Sequence, residues 1–211
     1  MTVPTGIAIT DVRGHLFDAA ERVLLRDGPN ALTNRAVTSE AGCANGVLHR
    51  HFADFGTFLA ELVLDRISRI GGQAAALREA AGTRTAADNL TDALLSLFGP
   101  TAMAIFALVT SRDDLRARLR HIRPGGVPVL GEVETAISAY LTAEQELGRI
   151  APGADIPTTA LTLAGAVHLL FSRNDGAPLQ RSQVSKIVTA LIGPIEKRLP
   201  IHAEHGIRRG P

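Results

Sequence analysis

The stretch that decides the fold is TNRAVTSEAGCANGVLHRHFADFGTFL, residues 33–59. It predicts a short helix over about 34–41, a tight turn at Ala41-Gly42 and a second short helix over about 45–51. Gly42 suits this turn because a side chain there would be expected to clash. Asp54 is placed to cap a further helix. Two short helices joined by a glycine-containing turn are typical of a helix-turn-helix that reads DNA.

Apolar residues at helical spacing extend this pattern along the whole chain. Helices are predicted near 11–26, 55–77, 86–98, 101–110, 128–147, 157–173 and 182–198, separated by glycine and proline. Residues 1–10 are predicted to form a loose arm. The pattern predicts an all-α protein of about nine helices. We expect an N-terminal three-helix helix-turn-helix DNA-binding domain over 1–56 and a larger C-terminal helical ligand-binding and dimerisation domain over 57–211.

Composition supports a helical protein of the cytoplasm. The 211 residues are 45% apolar, with seven Phe, one Tyr and no Trp, and alanine-rich chains with few aromatics favour helix over sheet. A single cysteine, Cys43, cannot form an internal disulfide, which favours a reducing compartment. No apolar run has the length of a signal peptide or a membrane span. We therefore expect a cytoplasmic protein with no membrane partner.

Motifs for catalysis, cofactors and metals are missing from the sequence. It contains no glycine-rich phosphate loop, nucleophile elbow or catalytic dyad, so we expect no enzyme and no cofactor. His49 and His51 stand two residues apart, which places them on different helix faces and disfavours metal chelation. The acidic pairs Asp113-Asp114 and Glu144/Glu146 are interpreted as solvated helix faces, His202 and His205 as part of a terminal tail, and Cys43 as a small buried apolar residue.

Residues 12–62 resemble the N-terminal region of the TetR family of transcriptional regulators. The segments LFDAAERVLLRDG and LTNRAVTSEAGCANGVLHRHFADFGTFLAEL carry the resemblance. They combine Ala41-Gly42, Gly46, Leu48 and the His51-Phe52 pair in order and without gaps. The remainder of the chain matches only in length and helical character. The resemblance implies a homodimer that binds a near-palindromic double-stranded DNA operator and a small-molecule effector.

The predicted DNA-binding surface is the outward side of the helix-turn-helix. Asn45 and Val47, in the first turn of the second helix, are candidates for touching base edges, whereas His49, Arg50 and His51 are better placed for phosphates. Leu48 and Phe52 are expected to anchor that helix to the N-terminal helix near 11–26. The complete predicted set is Thr33, Asn34, Arg35, Ala44, Asn45, Val47, His49, Arg50 and His51.

Three residues depart from the family pattern. Ala44 stands where Ser or Thr usually caps the recognition helix, so Asn45 is expected to take over the cap. His49 replaces a tyrosine that commonly contacts phosphate, and Phe55 replaces a lysine. Residues 1–56 also contain five Arg against six Asp plus Glu. Because phosphate neutralisation dominates affinity for DNA, this head is expected to bind weakly or with strong salt dependence.

The C-terminal half is expected to hold an apolar ligand pocket and a dimer interface. Residues 158–171, TTALTLAGAVHLLF, are nearly apolar all round, which predicts a helix covered on more than one side. The predicted pocket residues are Leu97, Phe98, Met103, Phe106, Tyr140, His168 and Phe171. The predicted dimer-interface residues, on the last two helices, are Leu161, Ala164, Gly165, Val184, Val188 and Leu191.

Two functions remain in view from the sequence. The first is a transcriptional regulator, a repressor that a small apolar ligand releases from its operator. The second is a dimeric small-molecule-binding protein whose DNA-binding head is degenerate, which the negative head and the three departures motivate.

Overall fold

A computed structural model describes residues 11–122, 129–174 and 177–197. These residues form ten α-helices and one short 3-10 helix, Pro29–Ala31, and the predicted all-α class is confirmed. The helices are α1 (Val12–Asp27), α2 (Asn34–Glu40), α3 (Gly46–His51), α4 (Phe55–Glu79), α5 (Ala86–Leu97), α6 (Pro100–Ser111), α7 (Asp113–Ile122), α8 (Leu130–Glu146), α9 (Ile156–Ser172) and α10 (Arg181–Ile192). The predicted N-terminal arm and the histidines at 202 and 205 lie outside the described residues.

Helix α7 is the element that the sequence pattern does not predict. Only Leu115 and Leu119 of its residues are buried, and most of the others are charged. A single apolar pair one turn apart is too short a repeat to identify a helix. Asp113 and Asp114 form the first turn of α7, where the helix dipole favours negative charge.

Helices α1, α2 and α3 pack together as a head. The ring centroids of Phe17 in α1, Phe52 after α3 and Phe58 in α4 lie between 5.0 and 5.7 Å apart, and Leu48 of α3 is fully buried. The prediction that Leu48 and Phe52 anchor the second short helix is therefore confirmed. Buried aromatic rings supply large apolar contact areas, which gives the short α3 a firm base.

Side-chain caps define where the helices of the head begin. Thr33 Oγ1 accepts a hydrogen bond from the backbone N–H of Ala36 at 3.1 Å and so caps α2. Asp54 Oδ1 accepts one from the N–H of Thr57 at 2.5 Å, which confirms the predicted cap of α4. This backbone bond lowers the pKa of Asp54. Such caps typically stabilise a helix by about 1 kcal/mol.

Helix α4 connects the head to the rest of the protein, called the body here. It runs without a break for 25 residues, about 37 Å at 1.5 Å per residue. Three arginines of the body bind residues of the head. The contacts are those of Arg66 with Asp18 and Glu21, of Arg112 with the carbonyl oxygens of Pro29 and Leu32, and of Arg118 with Asp54.

The body contains a buried polar network at the end of α8. The Tyr140 hydroxyl donates to Glu144 Oε1 at 2.5 Å and accepts from Asn89 Nδ2 at 3.2 Å. Glu144 is fully buried, and its Oε2 lies 3.2 Å from Nε of Arg149. Burial raises the pKa of Tyr140. The interpretation of Glu144 as part of a solvated face is therefore wrong, because its carboxylate is buried and contacts Tyr140, the N–H of Gly82 and Arg149.

No single helix among the described residues is both long and apolar enough to cross a membrane; α5 and α6 reach that length only together, across a bend of 56°.

Candidate DNA-binding surface, cavities and dimer face

The turn between α2 and α3 depends on a left-handed glycine. Gly42 has φ +66°, and the N–H groups of Gly42 and Cys43 donate to the carbonyl oxygens of Ser39 and Thr38 at 3.1 and 2.9 Å. This pair of bonds is a Schellman motif. A Cβ at Gly42 would meet no atom within 4 Å, so the prediction that a side chain would clash there is wrong. The backbone conformation, which disfavours any side chain, is what requires glycine.

The outward side of the helix-turn-helix is a continuous exposed surface. Seven of the nine residues predicted to contact DNA are exposed: Thr33, Arg35, Ala44, Asn45, His49, Arg50 and His51. Asn34 and Val47 are half-buried, and Val47 packs against the core of the head. Val47 therefore presents less surface to a base edge than predicted.

Arginines on this surface differ from the other arginines of the head in their partners. Arg22 and Arg26 both bind Glu40 at 2.8 Å, and their hydrogen bonds hold the pKa of Glu40 below its usual value. Within the described residues, Arg35 and Arg50 make no ion pair and no side-chain hydrogen bond. The two unpaired cations of the head thus lie on the face predicted to meet DNA.

Acidic residues of the head are occupied away from that face. Asp18 and Glu21 bind the buried Arg66, and Asp54 binds Arg118. A charge count that stops at residue 56 omits these arginines, because both follow that boundary in sequence. The negative formal charge of the first 56 residues is therefore a poor guide to the field at the predicted DNA-binding surface, where local unpaired charges matter most.

Asn45 occupies the N-cap position of α3, but its side chain does not cap the helix. No side-chain hydrogen bond caps this end of α3, so the prediction that Asn45 takes over the cap from the missing Ser or Thr is wrong. Asn45 Oδ1 instead accepts a hydrogen bond from the hydroxyl of buried Thr38 at 2.7 Å. This bond crosses from α2 to α3 and restricts the Asn45 amide, whose NH2 group remains a donor.

Asn34 and His49 form a second bridge between α2 and α3. Asn34 Nδ2 lies 3.0 Å from Nε2 of His49. The bridge leaves the His49 ring exposed. Neither Thr38 nor the Asn34–His49 pairing is predicted by the sequence, because both depend on how the two helices cross.

A cavity of about 460 Å³ lies between α4 and α8. We call it the α4–α8 cavity. Its lining residues are Leu64, Ile67, Ser68, Ile70, Gly71, Ala74, Ala75, Arg78, Glu132, Thr135, Ala136 and Ala139. Its wall is mainly apolar with a few polar groups, and its volume lies in the range of small-molecule sites.

The predicted ligand-pocket residues do not line this cavity. Leu97, Phe98, Met103 and Tyr140 are buried core residues, and Phe106, His168 and Phe171 are half-buried elsewhere. That they line a ligand pocket elsewhere in the body stays a prediction. The sequence shows which residues are apolar, but apolar residues form both the core and the walls of cavities. Nothing in the sequence distinguishes the small residues of α4 and α8 that line this cavity from small residues of the core.

His168 lies against aromatic rings of α6 and its neighbouring turn. Its ring centroid is 4.7 Å from that of Phe106, and its buried Nδ1 has no hydrogen-bond partner. Burial lowers the pKa of His168, because desolvation disfavours the charged imidazolium.

Acid should destabilise the protein through His168. Below the ordinary histidine pKa of about 6.5, His168 binds a proton more readily in the unfolded state than in the folded state. This contribution to the free energy of unfolding therefore decreases as the pH is lowered. His168→Leu should reduce the loss in urea midpoint between pH of about 7.5 and 5.5. The matched control, exposed His121→Gln, should keep the wild-type loss. Equal pH dependence in both variants would contradict this role.

Exposed leucines mark one side of α9. Leu161 and Leu169 are each 59% exposed, and the exposed Gly165 lies between them at four-residue spacing. This row is called the α9 stripe. Leu169 is absent from the predicted interface set, although its spacing from Gly165 was visible in the sequence. The stripe leaves apolar area and a close-approach point on the surface of the protomer.

Three predicted dimer-interface residues are unavailable to a partner. Val184 and Val188 are fully buried, and Ala164 is 4% exposed, within the protomer. The apolar seam of α10 packs mainly against α5 of the same chain. Leu161, Gly165 and the half-buried Leu191 remain on the surface. Apolar periodicity located the seam correctly but could not show whether a neighbouring helix or a second chain covers it.

The described residues contain no group of three or more His, Cys, Asp or Glu side chains that could hold a metal ion. Cys43 is half-buried in the turn, and burial raises the pKa of its thiol, which makes the nucleophilic thiolate less available.

Comparisons with solved structures support the fold. A transcriptional regulator from Rhodococcus sp. is 21% identical, covers 90% of this chain and 100% of its own, and has a TM-score of 0.67. A TetR-family member from Streptomyces coelicolor is 22% identical over 86% and 99%, with a TM-score of 0.61. SmeT, the repressor of a multidrug efflux pump of Stenotrophomonas maltophilia, is 16% identical over 89% and 92%, with a TM-score of 0.61. Searches with family models and curated sequences gave no match. This chain therefore has the fold of the TetR-family transcriptional regulators.

Proposed function

We propose that this protein is a homodimeric DNA-binding transcriptional regulator, a repressor whose operator binding responds to a small molecule. The observation that carries the proposal is the exposed helix-turn-helix with Arg35 and Arg50 unpaired, on the fold of TetR-family regulators. Residues 1–56 would serve as the DNA-binding domain and residues 57–211 as the ligand-binding and dimerisation domain. The structural similarity to SmeT, a repressor, supports repression and not activation.

Each head would place α3 in a major groove. Arg35, Arg50 and His51 suit phosphate contacts, which position the protein, and the fixed Asn45 amide suits a base edge. A two-fold dimer requires recognition helices about 34–36 Å apart on successive turns of a near-palindromic operator. The α9 stripe is the surface that we propose for pairing.

The α4–α8 cavity is the proposed effector site. Its mainly apolar wall favours an apolar ligand, and most of its residues lie on α4, the continuous helix whose first turn supports α3. A ligand that shifts α4 against α8 would change the separation of the two heads. Release from DNA requires that the ligand prefer the conformation that does not bind the operator.

Binding to DNA tests the proposal directly. Purified full-length protein should bind nonspecific duplex DNA at low salt, and log Kd should rise linearly with log salt concentration. Selection from random duplexes should then return a near-palindromic sequence. Absence of binding to any duplex at low salt would instead support a small-molecule-binding protein with a degenerate head.

Thr38 should act as a positioning residue for base recognition. Thr38→Val keeps the side-chain shape but removes the hydroxyl that binds Asn45, so preference at one base position per half-site should relax. A good side-chain contact to a base discriminates by about 1–3 kcal/mol. Asn45→Ala should relax the same position in the same selection experiment. An unchanged base preference in Thr38→Val would show that Thr38 has another role. So would an affinity of Thr38→Val for nonspecific DNA that differs from that of the wild type.

A further inference from the structure

The side chain of Arg13, in the first turn of α1, meets the carboxyl end of α3. Its Nη1 donates a hydrogen bond to the carbonyl oxygen of His51 at 2.7 Å. His51 is the last residue of α3, and the last carbonyl groups of a helix lack partners inside it. A cation at this end also interacts favourably with the helix dipole. Arg13 therefore caps α3 from another helix.

Two further contacts fix the Arg13 guanidinium in this place. Its Cζ lies 4.2 Å from the centroid of the Phe52 ring, and its Nη2 forms an ion pair with Glu61 of α4. The guanidinium thus contacts the end of α3, the ring that anchors α3 and the helix that follows it. A planar group with a fork of donors can make these three contacts together, whereas the ammonium of a lysine cannot.

Helix α3 depends on contacts of this kind because it is short. It has six residues, and helices of that length are not stable on their own. Its middle is anchored by the buried Leu48. Near its start, Asn45 is held by the hydroxyl of Thr38, and at its end the His51 carbonyl is held by Arg13. The orientation of α3 is therefore set at both ends by side chains of other helices.

Helix α2 is attached to α1 separately, through His15. The Nε2 atom of His15 lies 3.0 Å from the carbonyl oxygen of Ala41, the residue that ends α2. A carbonyl oxygen only accepts, so Nε2 carries the proton in this bond. Because α2 has its own connection to α1, replacement of Arg13 is expected to loosen α3 while α2 stays in place.

The terminal nitrogens of Arg13 are both occupied within the protein, one by His51 and the other by Glu61. Arg13 therefore differs from the unpaired Arg35 and Arg50, which are available to phosphates. We propose that Arg13 is a positioning residue for sequence recognition, which holds the carboxyl end of α3 so that this helix meets base edges in one orientation. The proposal rests on the proposed function and assigns a specificity-determining role to a residue outside the helix-turn-helix.

Loss of this contact should affect specific binding more than nonspecific binding. Base recognition requires well-aligned hydrogen bonds to base edges, whereas nonspecific binding depends mainly on how many phosphates are neutralised. A loosened α3 would still carry Arg50 and would still be attracted to any duplex. The expected loss is therefore in the ratio of operator affinity to nonspecific affinity.

Arg13→Lys separates positioning from charge, because it keeps the net charge of the head and removes the planar fork. We expect affinity for the selected operator to fall by at least about tenfold, the scale of one well-placed base contact. Affinity for a nonspecific duplex and its salt dependence should match those of the wild type. Fluorescence anisotropy over a series of salt concentrations measures both. Equal losses for the two duplexes, or no loss for the operator, would overturn the proposal.

Arg22→Lys is the matched control, since it makes the same substitution on the same helix. Arg22 binds Glu40 of α2 at 2.8 Å, so its ion pair joins α1 to α2 and not to α3. This control should keep the wild-type affinity for both duplexes. If Arg22→Lys lost operator affinity as strongly as Arg13→Lys, the loss would reflect general loosening of the head, and the specific role of Arg13 would be contradicted.

Hydrogen exchange of the protein without DNA tests the cap itself. The N–H of Phe52, which donates to the carbonyl oxygen of Leu48 at 2.9 Å, should exchange about tenfold faster in Arg13→Lys, because charge-assisted hydrogen bonds are the strong ones. The melting temperature should match that of Arg22→Lys. Unchanged exchange at Phe52 would overturn the positioning of α3 by Arg13. Failure of the wild type to bind any duplex would contradict the proposed function, and the exchange result would then decide whether Arg13 holds α3.

Discussion

A Leu161→Asp/Leu169→Asp double variant should be a folded monomer that has lost tight operator binding. Both leucines are 59% exposed in the protomer, so replacing them removes little of its own core. In a dimer joined along the α9 stripe, each protomer would bury two aspartates. These carboxylates would lose their hydration and lie near the same residues of the partner. Like charges buried in an apolar interface are strongly unfavourable.

Loss of pairing has a large effect on DNA affinity because the two heads bind as a unit. Linking two binding modules typically raises affinity by a factor of about 10²–10⁴. We therefore expect at least about a hundredfold weaker operator binding by the double variant. The mass in solution from light scattering and the affinity from fluorescence anisotropy measure the two effects.

Leu25→Asp/Leu147→Asp is the matched control for association. These leucines are 48% and 57% exposed but lie on α1 and just after α8, not on α9. This control should remain a dimer. A dimer of the Leu161→Asp/Leu169→Asp variant, or a wild-type protein that is monomeric at all concentrations, would contradict pairing through α9.

Local chemistry made much of the fold predictable. Thr33 and Asp54 cap α2 and α4 because their side chains reach backbone N–H groups only a few residues away. Gly42 marks the turn because few other residues adopt its positive φ. The resemblance of residues 12–62 adds to these signals, and the structure agrees with both.

Long-range partners explain what the sequence could not provide. Arg66 and Arg118 neutralise acids of the head from beyond residue 56, so a count by segment assigns the wrong local charge. Thr38 and Asn45 meet only because α2 and α3 cross as they do. The α4–α8 cavity arises where small side chains leave space, and the absence of bulk at separated positions gives no periodic signal.

The same limit applies to the apolar helix α9. Ala164 and Leu161 are both apolar, yet one is buried in the protomer and the other is exposed. A helix that is apolar all round predicts two covered sides but not which side belongs to which neighbour. The α9 stripe became identifiable only when the packing of α8 and α10 against α9 was known.

Arg35→Gln/Arg50→Gln should weaken binding to every DNA sequence by at least about a hundredfold at low salt and flatten its salt dependence. If each arginine neutralises one phosphate in each of two heads, the slope of log affinity against log salt should fall by roughly 3–4, at about 0.9 per phosphate. Base preference, measured by selection from random duplexes, should stay the same because phosphate contacts carry no sequence information.

Arg22→Gln/Arg26→Gln provides the matched control, because it removes the same formal charge from the same head. Those arginines bind Glu40 and lie away from the outward side of α3. If contacts at the DNA-binding surface determine affinity, this control should change the salt slope far less than Arg35→Gln/Arg50→Gln. Equal changes in the two variants would mean that the overall charge of the head attracts DNA and that neither Arg35 nor Arg50 contacts a particular phosphate. The difference between the two slopes therefore measures how much of the binding comes from the helix-turn-helix surface itself.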